Sequence, residues 1–449
     1  AVAWILLAGP NAGWLNRLYV WLTGAASGPL NIYSMAGLVL VIACYSFHYA
    51  FVFTRSALDL ISSEMEDAAS TLGAGTLRTM LRVTLPLTLP AILGAFIVEF
   101  LEAIALFGAP ALIALPARFQ VMTTMLWQFF EFPPKVQVAA AYSMPLLAIT
   151  VFLFWLQRRI IARKGYVALT GKGGERRQIR LGGWRWVMLG YCLFVTSLSF
   201  FLPMLVVLQA AFAKAWGRGF GLDNITLENL RFVLIDQPIT RAATLHTFVY
   251  GGTAAAIALG LGLSIAYIVH RRLVPLGGAL AYIAMAPFVI PGIVLAIGFY
   301  AAYTTPPLVL YGGAWILILA FTTRFLPIAY ANSDAAIRSL NPELEDAVRI
   351  LGGGRLLAMR RVVGPLLKRG LAGAFILVFI PATRELSSAI FLYTTGTQVL
   401  SVLLFDKSDE GNFEILSSIG LILVVITVAL VLAGFRLAGR DFMLKRTAS

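Results

Sequence analysis

A polytopic bundle of membrane-spanning α-helices, built as two homologous halves in the same orientation, is the fold class this sequence predicts. Three observations carry that expectation. The 449 residues are 59% hydrophobic and only 12% charged, against about 25% charged in ordinary soluble domains. Stretches such as "MAGLVLVIACYSFHYAFVF" (35–53) and "IGLILVVITVALVLAGF" (419–435) have the length and apolarity of bilayer crossings. Finally, "EMEDAASTLGAG" (64–75) and "ELEDAVRILGGG" (343–354) share seven of twelve residues at an offset of 279.

The apolar segments are too long for barrel strands, so the spanning elements are helices, whose backbone polar groups are satisfied within one segment. Nine full spans are expected near 34–54, 88–111, 137–156, 186–212, 246–269, 276–301, 313–332, 370–392 and 416–436. A tenth apolar piece, "AVAWILLAG" (1–9), is too short to cross alone. It reads as the tail of a span and lacks the basic first region of a signal peptide.

Charge then orients the chain. The formal net charge of +14 is concentrated in 157–185, which holds nine Arg or Lys and one Glu, in "HRR" (270–272), in 355–369 and in the C-terminal "RLAGRDFMLKR". Placed on the cytoplasmic side, these segments let all nine spans alternate. Segments 55–87, 157–185, 270–275, 333–369 and 437–449 then fall inside. Segments 10–33, 112–136, 213–245, 302–312 and 393–415 fall outside. This basicity marks membrane orientation and implies no nucleic-acid partner. Cys44 and Cys192 lie in spans and the three histidines are scattered, so no metal site is expected.

The duplication extends past the opening segments. Pro86 matches Pro365, and Gly94-Ala95-Phe96 matches Gly373-Ala374-Phe375. The order of span, acidic loop, span, external loop, span is kept in both copies, which is a parallel repeat. The expected division is 1–165 for an N-terminal half of about three and a half spans and 166–449 for a C-terminal half of six. The N-terminal half therefore reads as truncated at its front.

Each acidic loop should open with a short helix. Met65, Ala68, Ala69 and Leu72, and likewise Leu344, Ala347, Val348 and Leu351, repeat at i, i+3, i+4 and i+7 along one face. Glu64, Glu66 and Asp67, or Glu343, Glu345 and Asp346, occupy the other. Carboxylates in a first turn suit the positive end of the helix dipole. Ser62 or Ser63 is the expected cap of the first helix and Asn341, with Pro342 following, that of the second. Gly73 and Gly352 can take positive φ and end each helix. Amphipathic helices that lie on membranes are usually basic, so an acidic one fits a knob offered to a protein partner better. Two knobs call for a dimeric partner.

These residues carry a resemblance. The two strings, each followed at a distance by a proline, resemble the EAA loop of permease subunits of binding-protein-dependent ABC importers. The pattern there is Glu-Ala-Ala, three residues, Gly, then Ile-x-Leu-Pro. Asp67 stands where the family prefers Glu, and the second copy has Ala347-Val348 and Gly364-Pro365. The likeness covers nearly the whole chain and is similar above all to fused double permeases of the ferric-iron branch, through "TRELSSAIFLYTTGTQVLSVLLF" (383–405). It implies a type I ABC importer permease in a bacterial inner membrane, which is not an enzyme. It also implies two copies of a cytoplasmic ATPase, an external substrate-binding protein and surrounding lipid as partners. By the resemblance Glu64, Glu66, Asp67, Ala68, Ala69 and Gly73 would couple one ATPase, and Glu343, Glu345, Asp346, Ala347 and Gly352 the other. This chain would hold no cofactor of its own, with ATP and Mg bound by the ATPase. "TGKGGERR" lacks the upstream glycine and the Ser or Thr of a phosphate loop.

Ionisable residues inside spans are costly and functional by default. Glu99, Glu102, Arg384 and Glu385 fall in expected spans, and Glu102, Arg384 and Glu385 are candidate pathway residues. A structural Arg–Glu pair is the alternative for them. "APFVIPGIVLAIG" (286–298) should kink its span. Ferric iron is the substrate the resemblance favours, with 2-aminoethylphosphonate, thiamine or polyamine as alternatives. An ion-driven secondary transporter also uses repeats and membrane carboxylates, but has no need of two acidic knobs.

Overall fold

The computed structural model describes residues 1–59, 61, 63–131, 133–163 and 182–438. The 165/166 division, "TGKGGERR", Ser62, the Ser63 side chain and the chain beyond 438 lie outside the described residues.

Among the described residues, eight helices are long and apolar enough to cross a membrane: Met35–Leu58, Thr76–Ala105, Val136–Ile160, Trp184–Ala211, Pro238–His270, Ala314–Arg338, Arg355–Thr383 and Phe413–Leu437. The pair Gly277–Phe288 and Gly292–Tyr303 brings the number to nine when taken as one span, although its two parts are bent by 108°. The expected kink is thus a full break. Pro291 is extended, with φ −55° and ψ 141°, and the residue before a proline is itself pushed out of the helical region.

Two expected spans start much earlier. The helices leading to Pro86 and Pro365 run back to Thr76 and Arg355 without interruption. A five-residue π-helical stretch precedes each proline, Met80–Thr84 and Met359–Val363. The wider turn gives room for a ring that would otherwise collide with the carbonyl four residues back.

The 279-residue offset holds in the elements themselves. Met35–Leu58 overlays Ala314–Arg338, Ser63–Thr71 overlays Glu343–Ile350, and the two π-helical stretches coincide. Trp14–Thr23, expected in an external loop, is a helix in register with Gly292–Tyr303.

The chain packs as two compact units, one of Ala1–Met125 with Met144–Val206, the other of Leu126–Ser143 with Val207–Ser449. In the first unit Trp4 through Ala8 are buried. Asn16, also buried, closes the turn that follows them. Its Nδ2 donates to the Gly9 and Leu30 carbonyls at 3.0 and 2.7 Å, and its Oδ1 accepts from the Leu30 N–H at 2.9 Å. Ser34 caps the span Met35–Leu58 by accepting from the Gly37 N–H at 3.0 Å. Glu99 accepts from the Ala50 N–H at 3.1 Å, joining two spans through a membrane carboxylate.

In the second unit Pro238–His270 and Ala314–Arg338 pack closely because small residues face each other. A Cβ on Gly262 would lie 2.8 Å from the Tyr330 nitrogen and 2.9 Å from the Ala329 carbonyl carbon. Small residues let membrane helices approach and gain dispersion contacts where lipid offers no hydrophobic drive. Toward the acidic-loop end Ala266, Tyr267, Ala284, Tyr330, Ile337, Val363 and Leu367 form one buried cluster. Toward the opposite end Val233, Ala243, Leu400, Leu403, Ile415, Ile419 and Leu423 form another.

Candidate coupling loops and the broken span

The acidic loops have the same build in both units. Ser63–Thr71 and Glu343–Ile350 are short helices with acids in the first turn, and Gly73 and Gly352 follow with φ of +80° and +81°. Asn341 caps the second helix as its type predicts, its Oδ1 accepting from the Glu343 N–H at 3.0 Å.

The faces divide differently from the simple picture of an acidic side against an apolar side. Leu72 and Leu351 are each 88% exposed and Ile350 85%, while Glu345 is buried at 8%. Tyr267 donates its hydroxyl proton to Glu345 Oε2 at 2.8 Å, and Arg271 donates through Nε at 3.0 Å and through Nη2 to Oε1. Glu66, at the same repeat position, accepts from Thr84 Oγ1 at 2.7 Å. The counterpart of Thr84 is Val363, which has no proton to give. Glu345 therefore faces its own unit, a correction to the reading that set it on the outward acidic face. Glu64, Asp67, Ala68, Glu343, Asp346 and Ala347 are exposed, and Ala69 is half-buried.

The pathway candidates are also redistributed. Glu102 is half-buried near the end of Thr76–Ala105. Arg384 and Glu385 were expected within a helix, but the helix ends at Thr383, because Arg384 leaves helical geometry at φ −114° and ψ 4°. Glu385 Oε1 instead accepts from the Ser388 N–H and Oγ at 2.9 and 3.1 Å, so it shapes the turn leading into Ala389–Leu392. Arg384 is exposed.

Sequence reading missed a residue beside them. Arg324, midway along Ala314–Arg338, donates from Nη1 to the Ile290 carbonyl at 2.8 Å. The break at Pro291 removes helical partners from carbonyls of Gly277–Phe288 and its extension, and Arg324 supplies one. A Cβ on Gly292 would lie 3.2 Å from Glu385 Oε1, 3.2 Å from Ser387 Cβ and 3.5 Å from Arg324 Cζ. The broken span, the Arg324 helix and the turn after Thr383 thus meet at Gly292. A lone arginine in the middle of "AWILILAFTTRFLPIAY" was the available signal.

Within the second unit, at the end opposite its own acidic loop, polar side chains gather around Leu400–Asp409. Gln398 Nε2 donates to Asp406 Oδ2, and the Gln398 carbonyl meets His246 Nδ1 at 2.9 Å. Burial pushes the Asp406 carboxyl above its ordinary value, aided by the nearby Asp409 and Glu410 and opposed by the Gln398 hydrogen bond and Lys407. Tyr393 is pushed up to about 12 by burial, then by Asp406 and Tyr311.

Comparison with known proteins agrees with this build. Residues 1–166 and 258–440 match the family described as binding-protein-dependent transport system inner membrane component. A ferric transport system permease of Actinobacillus pleuropneumoniae is 26% identical over 399 residues, covering 85% of this chain and 56% of that protein. A putative 2-aminoethylphosphonate transport system permease of Salmonella typhimurium is 26% identical over 241 residues, covering 54% of this chain and 90% of that protein. The chain spans about half the length, 56%, of this ferric relative and of a putative ferric transport permease of Haemophilus influenzae. A solved chain of a bacterial ABC transporter involved in the import of alginate aligns over 57% of this chain and 94% of its own at 17% identity, with a TM-score of 0.43. At that level the fold rests on the family match and on the helices themselves. The chain belongs to the inner-membrane component family of binding-protein-dependent transport systems, and is a multi-pass integral membrane protein.

Proposed function

We propose that this chain lines the translocation pathway of an ATP-driven importer and couples it to a separate ATPase dimer through its two acidic helices. The observation that carries the reading is their common build. Each presents exposed carboxylates beside a leucine that is 88% exposed, and each is closed by a positive-φ glycine. Exposed apolar side chains of this size on a rigid element fit a protein groove. Asp67 and Asp346 add charge for a basic rim. The partners are two copies of a cytoplasmic ATPase that binds ATP and Mg, an external substrate-binding protein, and the lipid around the spans, in a bacterial inner membrane. No cofactor is assigned to this chain.

Ferric iron is the substrate we assign, supported by the relatives whose similarity extends over most of this chain. The similarity to 2-aminoethylphosphonate permeases, confined to about half of it, supports the second reading. The intact transporter, reconstituted with its ATPase and its binding protein, should take up radioactive ferric iron when ATP is supplied. Uptake of labelled 2-aminoethylphosphonate and not iron would move the assignment to the second substrate. Uptake driven by an ion gradient without the ATPase would defeat the coupling reading itself.

A further inference from the structure

We propose that Tyr267 and Arg271 are positioning residues for coupling: they clamp Glu345, and so tie the second acidic helix to the span Pro238–His270. The inference rests on ATPase docking at that helix and adds how a push there reaches the membrane. By its covalent connections alone, Glu343–Ile350 hangs between Ala314–Arg338 and Arg355–Thr383. Its exit runs through Gly352 and Gly353, whose N–H groups donate back to the Arg349 and Val348 carbonyls at 3.0 and 2.9 Å. The clamp adds a third link, to a different span. The Arg271 and Glu345 side chains are only 14% and 11% exposed, two guanidinium nitrogens reach one carboxylate oxygen, and the Tyr267 hydroxyl takes the other. Charge-assisted contacts of this geometry are strong and directional, and breaking one leaves a buried charge without a partner.

What the clamp holds is a single continuous helix of 33 residues, roughly 50 Å long at 1.5 Å per residue. Its far end is fastened as well. His246 meets the Gln398 carbonyl at 2.9 Å, and Thr247 Oγ1 accepts from the Leu400 N–H at 2.9 Å. The Gly262 contact keys the same rod against Ala314–Arg338. A displacement of the acidic helix is therefore delivered through Glu345 to the segment around Gln398 and Asp406. In the first unit Glu66 is met by a neutral hydroxyl, so the ionic clamp described here belongs to the second unit's acid.

The test uses the intact transporter in lipid nanodiscs, lacking Cys44 and Cys192, with Thr395→Cys as an exposed reporter in the segment after Tyr393. The readout is the change in thiol-labelling rate at 395 when ATP, Mg and vanadate trap the ATPase. Arg271→Gln should keep the ATPase bound and hydrolysing while that change falls at least fivefold. Arg271→Lys should restore at least half of it, and Tyr267→Phe, which removes one oxygen, should reduce it about twofold. The exchange of Arg271→Glu with Glu345→Arg should recover more than either change alone. A reporter response at the original level in both Arg271→Gln and Tyr267→Phe would overturn the clamp, and so would a lysine variant no better than glutamine. If Arg271→Gln does not assemble, Tyr267→Phe and the exchange decide the matter alone. Asp346→Lys, on the exposed side, separates the two readings. Release of the ATPase there upholds docking, so a silent Arg271→Gln then counts against the clamp only. Retention of the ATPase with a normal reporter counts against docking and the clamp together.

Discussion

Replacing Gly262 with alanine should destabilise the second unit, while the same change two residues earlier should not. Both glycines lie in Pro238–His270. At Gly260 an added Cβ meets nothing within 4 Å, so alanine brings only its better helix propensity, about 0.5–1 kcal/mol. At Gly262 the same atom would lie 2.8 Å from the Tyr330 nitrogen, 2.9 Å from the Ala329 carbonyl carbon and 3.1 Å from its oxygen. These are backbone atoms that cannot swing aside. Comfortable contacts begin near 3.5 Å, so the helices must part by roughly 0.6 Å, and a gap of that order forfeits about a quarter of each dispersion contact across the seam. Overpacking of this kind typically costs about 1–3 kcal/mol. The propensity gain is common to both variants, so their difference isolates the packing cost. Unfolding in mixed lipid–detergent micelles, followed by denaturant or temperature, should place Gly262→Ala below Gly260→Ala by about 1–3 kcal/mol, a 5- to 150-fold difference in the unfolding equilibrium. Equal stability of the two variants would refute the close approach of these spans.

Glu385→Gln should leave stability within about 0.5 kcal/mol, since an amide oxygen still accepts from Ser388, whereas Glu385→Ala should lose about 1 kcal/mol of thermal stability. Gly352→Ala forces a non-glycine residue to φ +81° at a cost of about 1 kcal/mol, and should raise protease sensitivity of the second acidic loop without altering the far end. Asp406 has its carboxyl pKa raised in the folded protein, so folding favours the protonated acid. That contribution is complete below the ordinary carboxylate pKa and is lost as pH rises through the raised value. Asp406→Asn should therefore raise the melting temperature at neutral pH and bring no gain below about pH 4, as a pH series of melting curves would register.

The spans were legible because length and apolarity alone decide whether a segment can cross a bilayer. The repeat was legible because Gly73 and Gly352 need a residue type that few positions require, and both adopt positive φ. The break at Pro291 read only as a kink, since nothing in a single sequence says whether neighbouring helices fill or widen a proline bend. Arg384 and Glu385 looked helical because the apolar run continues to Leu392, yet the chain leaves the helix at Arg384 and Glu385 turns back to cap Ser388. Periodicity set Glu345 on an outward acidic face. Its true partners, Tyr267 and Arg271, lie 78 and 74 residues earlier, a long-range pairing that local pattern does not encode. Arg324 was visible as a lone charge in an apolar span but acquires meaning only from the carbonyl freed at Ile290.

Docking of an ATPase on the two acidic helices is the claim on which the functional account turns, and site-directed cross-linking tests it most directly. In the intact transporter, free of Cys44 and Cys192, single cysteines at Leu72 and at Leu351 should each cross-link one ATPase subunit at a distinct site. The doubly substituted chain should capture two ATPase copies. The same reagents at Leu308, exposed in the segment after the broken span, should capture none. Failure of both loop cysteines to reach the ATPase in an actively transporting complex, with capture elsewhere on the chain, would contradict the account.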